Sequence, residues 1–433
     1  MINTTAWPRL GTGAFAVAAI AAVVAMTAPR AGAAAPTYYV DAASRGGKCS
    51  DARTPAQNTL RTPWCTLARG ITAATAGSSV LVRAAAYPRT QVTGAVKGAY
   101  VTIAPYGSEV PTINGLDLVK SGFLRFEGLK TVHGVVVRES HDLHFVGGEA
   151  ALMPRGSGTP NAFTFLESRN LLIADNFIHD GFNAIILNGV GDSVKNAVVR
   201  GNRIQRMGAD GIVVGKNNAD ITVEGNALVD VKRRADMVKT AHSDALQVTG
   251  PTTNVRIAGN VVTGGRGFIF GTNPTDHKRV CCGHVNTVVE NNLITGYEFA
   301  MKAWSFVNGR IVNNTFWGTS ETAASGLHIY DRNGSNHRTT GLVFANNVVR
   351  RLTVGSGVGF AVRDFNVIKI GPLGGARDVQ GVPDFVDPLS FDYHLDVGSV
   401  GVNAATSRYA PPTDAQGKAR YGAPDTGALE LHP

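Results

Sequence analysis

The chain has 433 residues, and its 41 lysines and arginines against 32 acidic residues give a formal charge of +9. Basic residues are spread along the chain without a concentrated run, which argues against nucleic acid as the partner, and mild basicity also serves solubility alone. The length would suit two or three ordinary domains, but a repeat array breaks that estimate because it grows by adding coils.

The first residues predict a secretory signal peptide over residues 1–33. Arg9 precedes an uncharged stretch from Leu10 to Pro29, and the small residues Ala31, Gly32 and Ala33 follow as a cleavage site. An uncleaved membrane anchor is the alternative, disfavoured by the short apolar core. We therefore expect a secreted, extracellular protein with no membrane association after cleavage.

Export makes the four cysteines interpretable. Cys49 and Cys65 are expected to form a disulfide, as is usual in an oxidising compartment. Cys281 and Cys282 are adjacent, so a vicinal disulfide, two free thiols and intermolecular bonds all remain open. Nearby histidines could suggest zinc, but adjacent cysteines rarely both reach one tetrahedral ion.

Eight six-residue windows share one pattern, with Ala or Gly at position two and apolar residues at positions three and five. Such period-two alternation predicts a strand with one buried face. The windows begin 22 to 34 residues apart, which is typical of a solenoid. They are NAFTFL (from Asn161), NAIILN (from Asn183), DGIVVG (from Asp210), DALQVT (from Asp244), RGFIFG (from Arg266), FAMKAW (from Phe299), SGLHIY (from Ser325) and VGFAVR (from Val358).

A second motif, apolar-x-apolar-x-x-Asn, interleaves with the windows, so each coil contains at least two strands joined by an Asn-bearing turn. Asn tolerates left-handed backbone, and its amide can bond to equivalent residues above and below. The motif ends at Asn176, Asn202, Asn226, Asn260, Asn292, Asn314 and Asn347.

With these features, the chain resembles the secreted right-handed parallel β-helix proteins, the group that includes pectate and alginate lyases and several polysaccharide hydrolases. The segments that carry the resemblance are YYVDAAS (from Tyr38), PWCTLARGITAATAGSSVLVRAAAY (Pro63 to Tyr87), PDFVDPLSFDYHLDVGS (from Pro383) and APDTGALEL (from Ala423). The resemblance implies an all-β fold, a right-handed parallel β-helix with an N-terminal capping helix. The expected divisions are an N-terminal cap and first coils (36–100), the β-helix (101–375) and a C-terminal capping extension (376–433) that covers the last coil. None of the signature catalytic tetrads of that group matches, so the resemblance supplies no catalytic residue.

Alternation points positions four and six of the windows outward, where equivalent residues of adjacent coils lie about 4.8 Å apart. Polar and aromatic residues concentrate in the later coils, and three long insertions, 227–243, 272–284 and 331–340, are expected to wall a groove there. Position four reads Thr164, Ile186, Val213, Gln247, Ile269, Lys302, His328 and Ala361. Position six reads Leu166, Asn188, Gly215, Thr249, Gly271, Trp304, Tyr330 and Arg363.

Lys302 and His328 are predicted neighbours at position four. Such crowding eases the loss of a proton and predicts a base near neutral pH, with Arg266 or Arg363 neutralising a substrate carboxylate. A solvated lysine beside a surface histidine is the alternative. Trp304 and Tyr330 predict a stacking platform for sugar rings.

Further polar candidates precede and begin the DALQVT strand. His242, Asp244 and Gln247 form a His-x-Asp-x-x-Gln group that predicts a catalytic role, with Asp236 and Lys239 in the preceding loop. A hydrogen-bonded turn is the competing interpretation.

Asp210 and Asp244 occupy position one of successive windows and would lie about 5 Å apart if both face solvent. Carboxylates that close predict either bound Ca²⁺, with Asp236 as a third ligand, or the acid pair of a hydrolase. Two turn aspartates that accept hydrogen bonds from backbone amides are equally compatible with the pattern.

Together these features predict a carbohydrate-active enzyme, first of all a lyase that cleaves a uronate-containing polysaccharide by β-elimination. A glycoside hydrolase with an aspartate pair and a non-catalytic glycan-binding protein are the alternatives. The expected partner is an acidic polysaccharide, the expected state is a monomer, and Ca²⁺ is the only cofactor considered.

Overall fold

In the computed structural model, residues 35–151, 161–188, 193–232, 243–271, 283–295, 298–318, 326–330 and 338–432 are described. These residues form a coil that passes in turn through three parallel sheets, here called sheets 1, 2 and 3, in nearly every repeat. The predictions for the signal segment and for Asp236, Lys239, His242, Cys281 and Cys282 concern residues outside the described part of the chain. Within them, no helix is long and apolar enough to cross a membrane.

Sheet 1 contains the first seven sequence windows. Two long strands, Val261–Gly271 and Val348–Val354, run through both sheet 3 and sheet 1. The other strands of sheet 1 are Thr90–Thr93, Leu116–Val119, Val135–Arg138, Phe163–Leu166, Ile185–Asn188, Ile212–Val214, Asp244–Thr249, Met301–Trp304 and Leu327–Tyr330.

Sheet 2 follows sheet 1 along the chain. Its strands are Thr37–Val40, Ser79–Val82, Val96–Pro105, Gly122–Glu127, His141–Val146, Arg169–Ala174, Lys195–Arg200, Ala219–Glu224, Thr252–Ala258, His284–Val285, Val288–Glu290, Phe306–Val307, Arg310–Val312, Leu342–Ala345 and Phe360–Asp364.

Sheet 3 completes each coil with short strands. Besides the two shared strands it contains Ala86–Tyr87, Thr112–Ile113, Lys130–Thr131, Glu149–Ala151, Phe177–His179, Arg203–Gln205, Ala227–Val231, Leu293–Thr295, Thr315–Phe316, Val367–Ile370 and Val379–Gln380. An antiparallel pair, Phe385–Asp387 with Asp392–Leu395, follows.

The eighth window was wrongly assigned to the same column as the other seven. Its residues form the strand Phe360–Asp364, which pairs with Leu342–Ala345 in sheet 2. Sheets 1 and 2 both alternate with period two, so the pattern alone cannot distinguish them.

The predicted asparagine ladder is confirmed at the turn between sheets 2 and 3. The backbone N–H and side-chain amide of Asn176 both donate to Oδ1 of Asn202, each at 3.0 Å, and the pattern repeats in later coils. The left-handed residue is the one before each ladder Asn, such as Asp175 (φ 56°) or Asn346 (φ 60°), which corrects the expectation that the ladder residue itself adopts this conformation.

The only α-helix of the described chain, Leu67–Ala73, packs against the first strands of sheets 1 and 2 through Leu67 and Ile71. Its N-cap is Thr66, whose hydroxyl accepts from the backbone N–H of Arg69 at 3.1 Å. Short 3₁₀ turns occur at Pro55–Gln57 and Pro388–Ser390. The predicted disulfide between Cys49 and Cys65 is confirmed.

The C-terminal residues lie along the side of the coils. The Asn346 side-chain amide donates to the carbonyl of Thr406 at 2.9 Å, and that of Asn291 donates to the carbonyl of Thr413 at 2.6 Å. The segment therefore runs back past several earlier coils, whereas the sequence predicted a cap over the last coil.

Candidate functional site

The register of the column at position four of sheet 1 is confirmed as far as His328, whose own side chain is buried. Strand register places Gln247 beside Ile269, Ile269 beside Lys302, and Lys302 beside His328. The next member is Thr353, because the long strand Val348–Val354 continues the sheet in place of the eighth window.

Position six brings the two predicted aromatic residues together. Trp304 pairs in register with Tyr330, and both side chains are half-buried. A Cβ atom at Gly271 would lie 3.5 Å from the Trp304 ring, in ordinary van der Waals contact, so the indole lies directly over the preceding coil. We call Arg266, Lys302, Trp304, His328 and Tyr330 the basic-aromatic cluster.

The cations of this cluster surround a residue that sequence analysis gave no role. Nζ of Lys302 lies 4.3 Å from the ring centroid of Phe299, and the guanidinium carbon of Arg266 lies 5.9 Å from it. Such contacts attract a cation to the face of an aromatic ring. The signal was visible in the sequence, since Phe299 takes position one of its window.

Arg266 is on the expected strand but has a partner. Its Nε donates to Oε2 of Glu298 at 2.6 Å, and both side chains are partly exposed. An ion pair in water contributes at most about 1 kcal/mol, so a substrate carboxylate can compete with Glu298 for Arg266.

His328 and Tyr330 form a hydrogen-bonded pair. The phenolic oxygen lies 2.7 Å from Nδ1 of His328, and the two rings are stacked with centroids 5.6 Å apart. His328 is only 6% exposed. Burial raises the pKa of Tyr330, so its hydroxyl stays protonated at neutral pH.

Asp210 and Asp244 are buried, which corrects the expectation that they face solvent. The backbone N–H of Asp244 donates to Oδ1 of Asp210 at 2.9 Å, and that of Asp210 donates to Oδ1 of Asn183 at 2.8 Å. Position one of these coils therefore forms a second internal ladder, as the turn interpretation predicted.

Nothing in the described residues assembles a calcium site. They contain no group of three His, Cys, Asp or Glu side chains able to hold a metal ion. Oδ1 of Asp210 already accepts an amide hydrogen bond, and Asp236 lies outside the described residues. Calcium binding stays a prediction, and no chemical step below depends on it.

Arg363 does not belong to this site. It lies in sheet 2, with its guanidinium carbon 5.4 Å from the Phe360 ring and its Nη2 donating to the carbonyl of Pro372. Its assignment as a carboxylate binder was wrong because the eighth window was placed in the wrong sheet.

The loop candidates Asp236, Lys239 and His242 lie outside the described residues, as do most of the three predicted groove walls. Gln247 lies on the strand as predicted, half-buried and facing outward. The described site is thus one face of sheet 1, between Gln247 and Thr353.

Comparison with known proteins identifies the fold. No protein-family model matches the chain, and no curated protein matches its sequence.

Thirty-six solved chains are similar in structure. The crystal structure of pectate lyase Pel9A has a TM-score of 0.53 at 13% identity, over 92% of this chain and 98% of that one. The Dettilon tailspike protein has a TM-score of 0.51 at 14% identity, over 80% of this chain and 68% of that one. The predicted right-handed parallel β-helix is therefore confirmed, and identities this low show the fold alone.

Proposed function

We propose that this chain is a secreted, carbohydrate-active enzyme that cleaves a uronate-containing polysaccharide by β-elimination. The observation that carries the proposal is the pairing of Lys302 with His328 beside the pairing of Trp304 with Tyr330. A proton-transfer pair and two aromatic rings thus lie next to one another on a single outward face. The similarity to a pectate lyase fold is compatible with this activity.

The charge of the face supports an acidic substrate. Arg266 is a cation, and the side chain of Glu298, with which it is paired, is 61% exposed. A substrate carboxylate that displaces Glu298 would face the Arg266 guanidinium at the edge of the aromatic rings. Neutralising that carboxylate also stabilises the enolate that forms when the adjacent proton is lost.

The reaction follows from these positions. Lys302 Nζ, acting as the base, takes the proton from C5 of the uronate while Arg266 holds the carboxylate. The electrons form the C4–C5 double bond, and the bond from C4 to the bridging oxygen breaks. That oxygen takes a proton from the hydrogen-bonded pair of His328 and Tyr330, which leaves an unsaturated sugar and a free hydroxyl. His242 remains an alternative proton donor from the sequence.

The reaction class is tested by incubating the mature protein with uronate polymers and neutral polysaccharides. We expect the ultraviolet absorbance of an unsaturated uronate to rise for at least one uronate polymer. New reducing ends without that absorbance would replace the lyase with the hydrolase. Glycan binding without any cleavage would replace it with a binding protein.

The role of Lys302 is tested by comparing Lys302→Met with Lys302→Arg. We expect both variants to lose activity by about a hundredfold or more, because arginine keeps the charge but cannot act as a base near neutral pH. Lys195→Met removes an exposed lysine of sheet 2 and serves as the matched control, with full activity expected. Activity retained by Lys302→Arg alone would show that Lys302 neutralises the carboxylate, and the base would have to be another residue.

A further inference from the structure

The outward face of sheet 2 contains a column of left-handed residues near the start of its strands. Seven successive members are Asn or Asp, with φ between 51° and 58°. These residue types tolerate left-handed backbone best after glycine. The members are Asp142, Asn170, Asn196, Asp220, Asn254, Asn286 and Asn308.

Phe123 occupies the same column one coil earlier. Gly122 pairs with His141 and Leu124 pairs with Leu143, so Phe123 lies beside Asp142, and its φ is 57°. Left-handed backbone at a bulky residue is strained, so the contacts around Phe123 must hold it there. The fold does not require phenylalanine here, because seven Asn or Asp residues make the same turn.

Two aromatic rings contact Phe123, and a third stacks on one of them. The Tyr100 ring lies 5.7 Å from the Phe123 ring and the His141 ring 5.6 Å from it, while His144 stacks on Tyr100 at 4.5 Å. All four side chains are half-buried. We call Tyr100, Phe123, His141 and His144 the aromatic platform.

The backbone makes room for these rings. Residues 97–100 form a bulge opposite Phe123, between the pairs Val96 with Gly122 and Val101 with Leu124, and the bulge carries Tyr100 to the platform. Nζ of Lys97 anchors the bulge by donating to the carbonyls of Thr72 and Ala74. A Cβ atom at Gly122 would lie 2.6 Å from the His141 ring, so only glycine lets that ring lie across the strand.

The platform differs in charge from the basic-aromatic cluster. The Arg125 guanidinium beside it is paired with Glu127, and Asp142 is hydrogen-bonded to His141 at 2.8 Å. Burial and the nearby Arg125 lower the pKa of His144, and burial raises the pKa of Tyr100, so both are neutral at pH 7. The Tyr100 hydroxyl lies 3.1 Å from Nε2 of His144 and adds a polar group to the rings.

We propose that the aromatic platform binds a neutral glycan, on a different sheet from the basic-aromatic cluster. Half-exposed aromatic rings with hydroxyl, imidazole and guanidinium groups at their edges match the apolar faces and hydroxyls of a sugar. Arg125, the guanidinium beside the rings, is already paired with Glu127, which disfavours a uronate carboxylate there. The platform extends over three coils, about 10 Å, and would hold a polysaccharide chain while another segment is cleaved.

The test is electrophoresis of the mature protein through gels that contain neutral polysaccharides, namely glucan, xylan, galactan and mannan. We expect at least one polymer to retard the protein, and Phe123→Asn and Tyr100→Leu each to weaken its binding about tenfold. Phe123→Asn restores the residue type of the column, so its thermal midpoint is expected to equal or exceed that of the parent. Asn196→Gly, in the same column but away from the rings, is the matched control and is expected to bind normally.

Four outcomes would overturn the proposal. The first two are that no neutral polymer retards the parent, or that Phe123→Asn is retarded as strongly as the parent. The third is a lower thermal midpoint for Phe123→Asn, which would show that Phe123 has a structural role. The fourth is a change in the molar mass of Phe123→Asn in solution, which would show that the platform serves self-association. Lys302→Met is expected to keep neutral-glycan binding, and Phe123→Asn to keep cleavage of uronate polymers. Failure of one proposal therefore leaves the other intact.

Discussion

The local surroundings of each residue decide which polar side chains of sheet 1 are available to a substrate. Lys302 and Asp244 both come from the repeated windows, yet Lys302 faces outward and Asp244 is 1% exposed. The difference follows from position within the window. Position four alternates outward along the strand, whereas position one of the DGIVVG and DALQVT windows turns inward, where the Asp210 carboxylate accepts from the backbone N–H of Asp244 in the next coil.

His284 provides a pH-dependent contribution to stability. It is fully buried beside Phe270 and Phe306, and desolvation lowers its pKa to about 3. Below pH 6.5 the unfolded chain binds a proton that the folded chain does not bind until about pH 3. The free energy of unfolding should therefore fall by about 1.4 kcal/mol per pH unit between these values.

Replacing His284 removes its pH-dependent contribution to the free energy of unfolding. His284→Leu is expected to cost about 1 kcal/mol at pH 7, because Thr252, 2.9 Å from Nδ1, loses its partner. Between pH 7 and pH 5 the parent should lose about 2 kcal/mol that the variant keeps, so at pH 5 the variant should be about 1 kcal/mol more stable than the parent. Urea unfolding at the two pH values measures both effects. The same loss of stability in parent and variant between pH 7 and pH 5 would contradict the assignment.

Among the structural elements, the ladder at the turn between sheets 2 and 3 fixes how successive coils are aligned. Asn260 is completely buried, accepts from the backbone and side chain of Asn226, and donates to Asn292 and to the carbonyl of Val223. At the far end Asp378 accepts both bonds from Asn366, at 2.9 Å. A terminal rung with no following Asn needs only acceptors, which explains the change from Asn to Asp.

Removing one internal rung should be costly. Asn260→Ala leaves the Asn226 amides and the Val223 carbonyl without their partner in a buried turn, so we expect a loss of about 3 kcal/mol or more. The exposed Asn196 of the outer column offers the control, since Asn196→Gly keeps a residue suited to φ 51° and should cost about 0.5 kcal/mol or less. Chemical unfolding of both variants measures the difference. Equal losses would mean that the ladder contributes no more than a surface column.

In the whole molecule, the C-terminal segment joins several successive coils in the later part of the helix. Arg420 is nearly buried, and its guanidinium donates to Oδ1 of Asn291 at 2.8 Å and to Oε2 of Glu430 at 2.8 Å. Behind it, Tyr393, Ala428 and Leu429 cover Leu293 in a small apolar cluster outside the main core. The segment therefore stabilises the later coils from the side.

Breaking this contact should destabilise the molecule. Arg420→Met leaves Glu430 as a buried charge without its cation, which is expected to cost about 3 to 5 kcal/mol. The double variant with Glu430→Gln should recover part of that loss. Thermal unfolding of the parent and the two variants is the measurement. An equal loss in the single and double variants would show that packing, and not the uncompensated charge, dominates.

The sequence by itself determined the repeated coil, the asparagine ladder, the Cys49 to Cys65 disulfide and the neighbours in the first seven windows, because each depends on local periodicity or on adjacent coils. Only the tertiary structure decided that the eighth window belongs to sheet 2, that Asp210 and Asp244 turn inward, and that Phe123 meets Tyr100. The physical reason is that period-two alternation gives the face of a strand without naming its sheet. Bulges and turns, which redirect side chains, depend on contacts between coils and leave no period in the sequence.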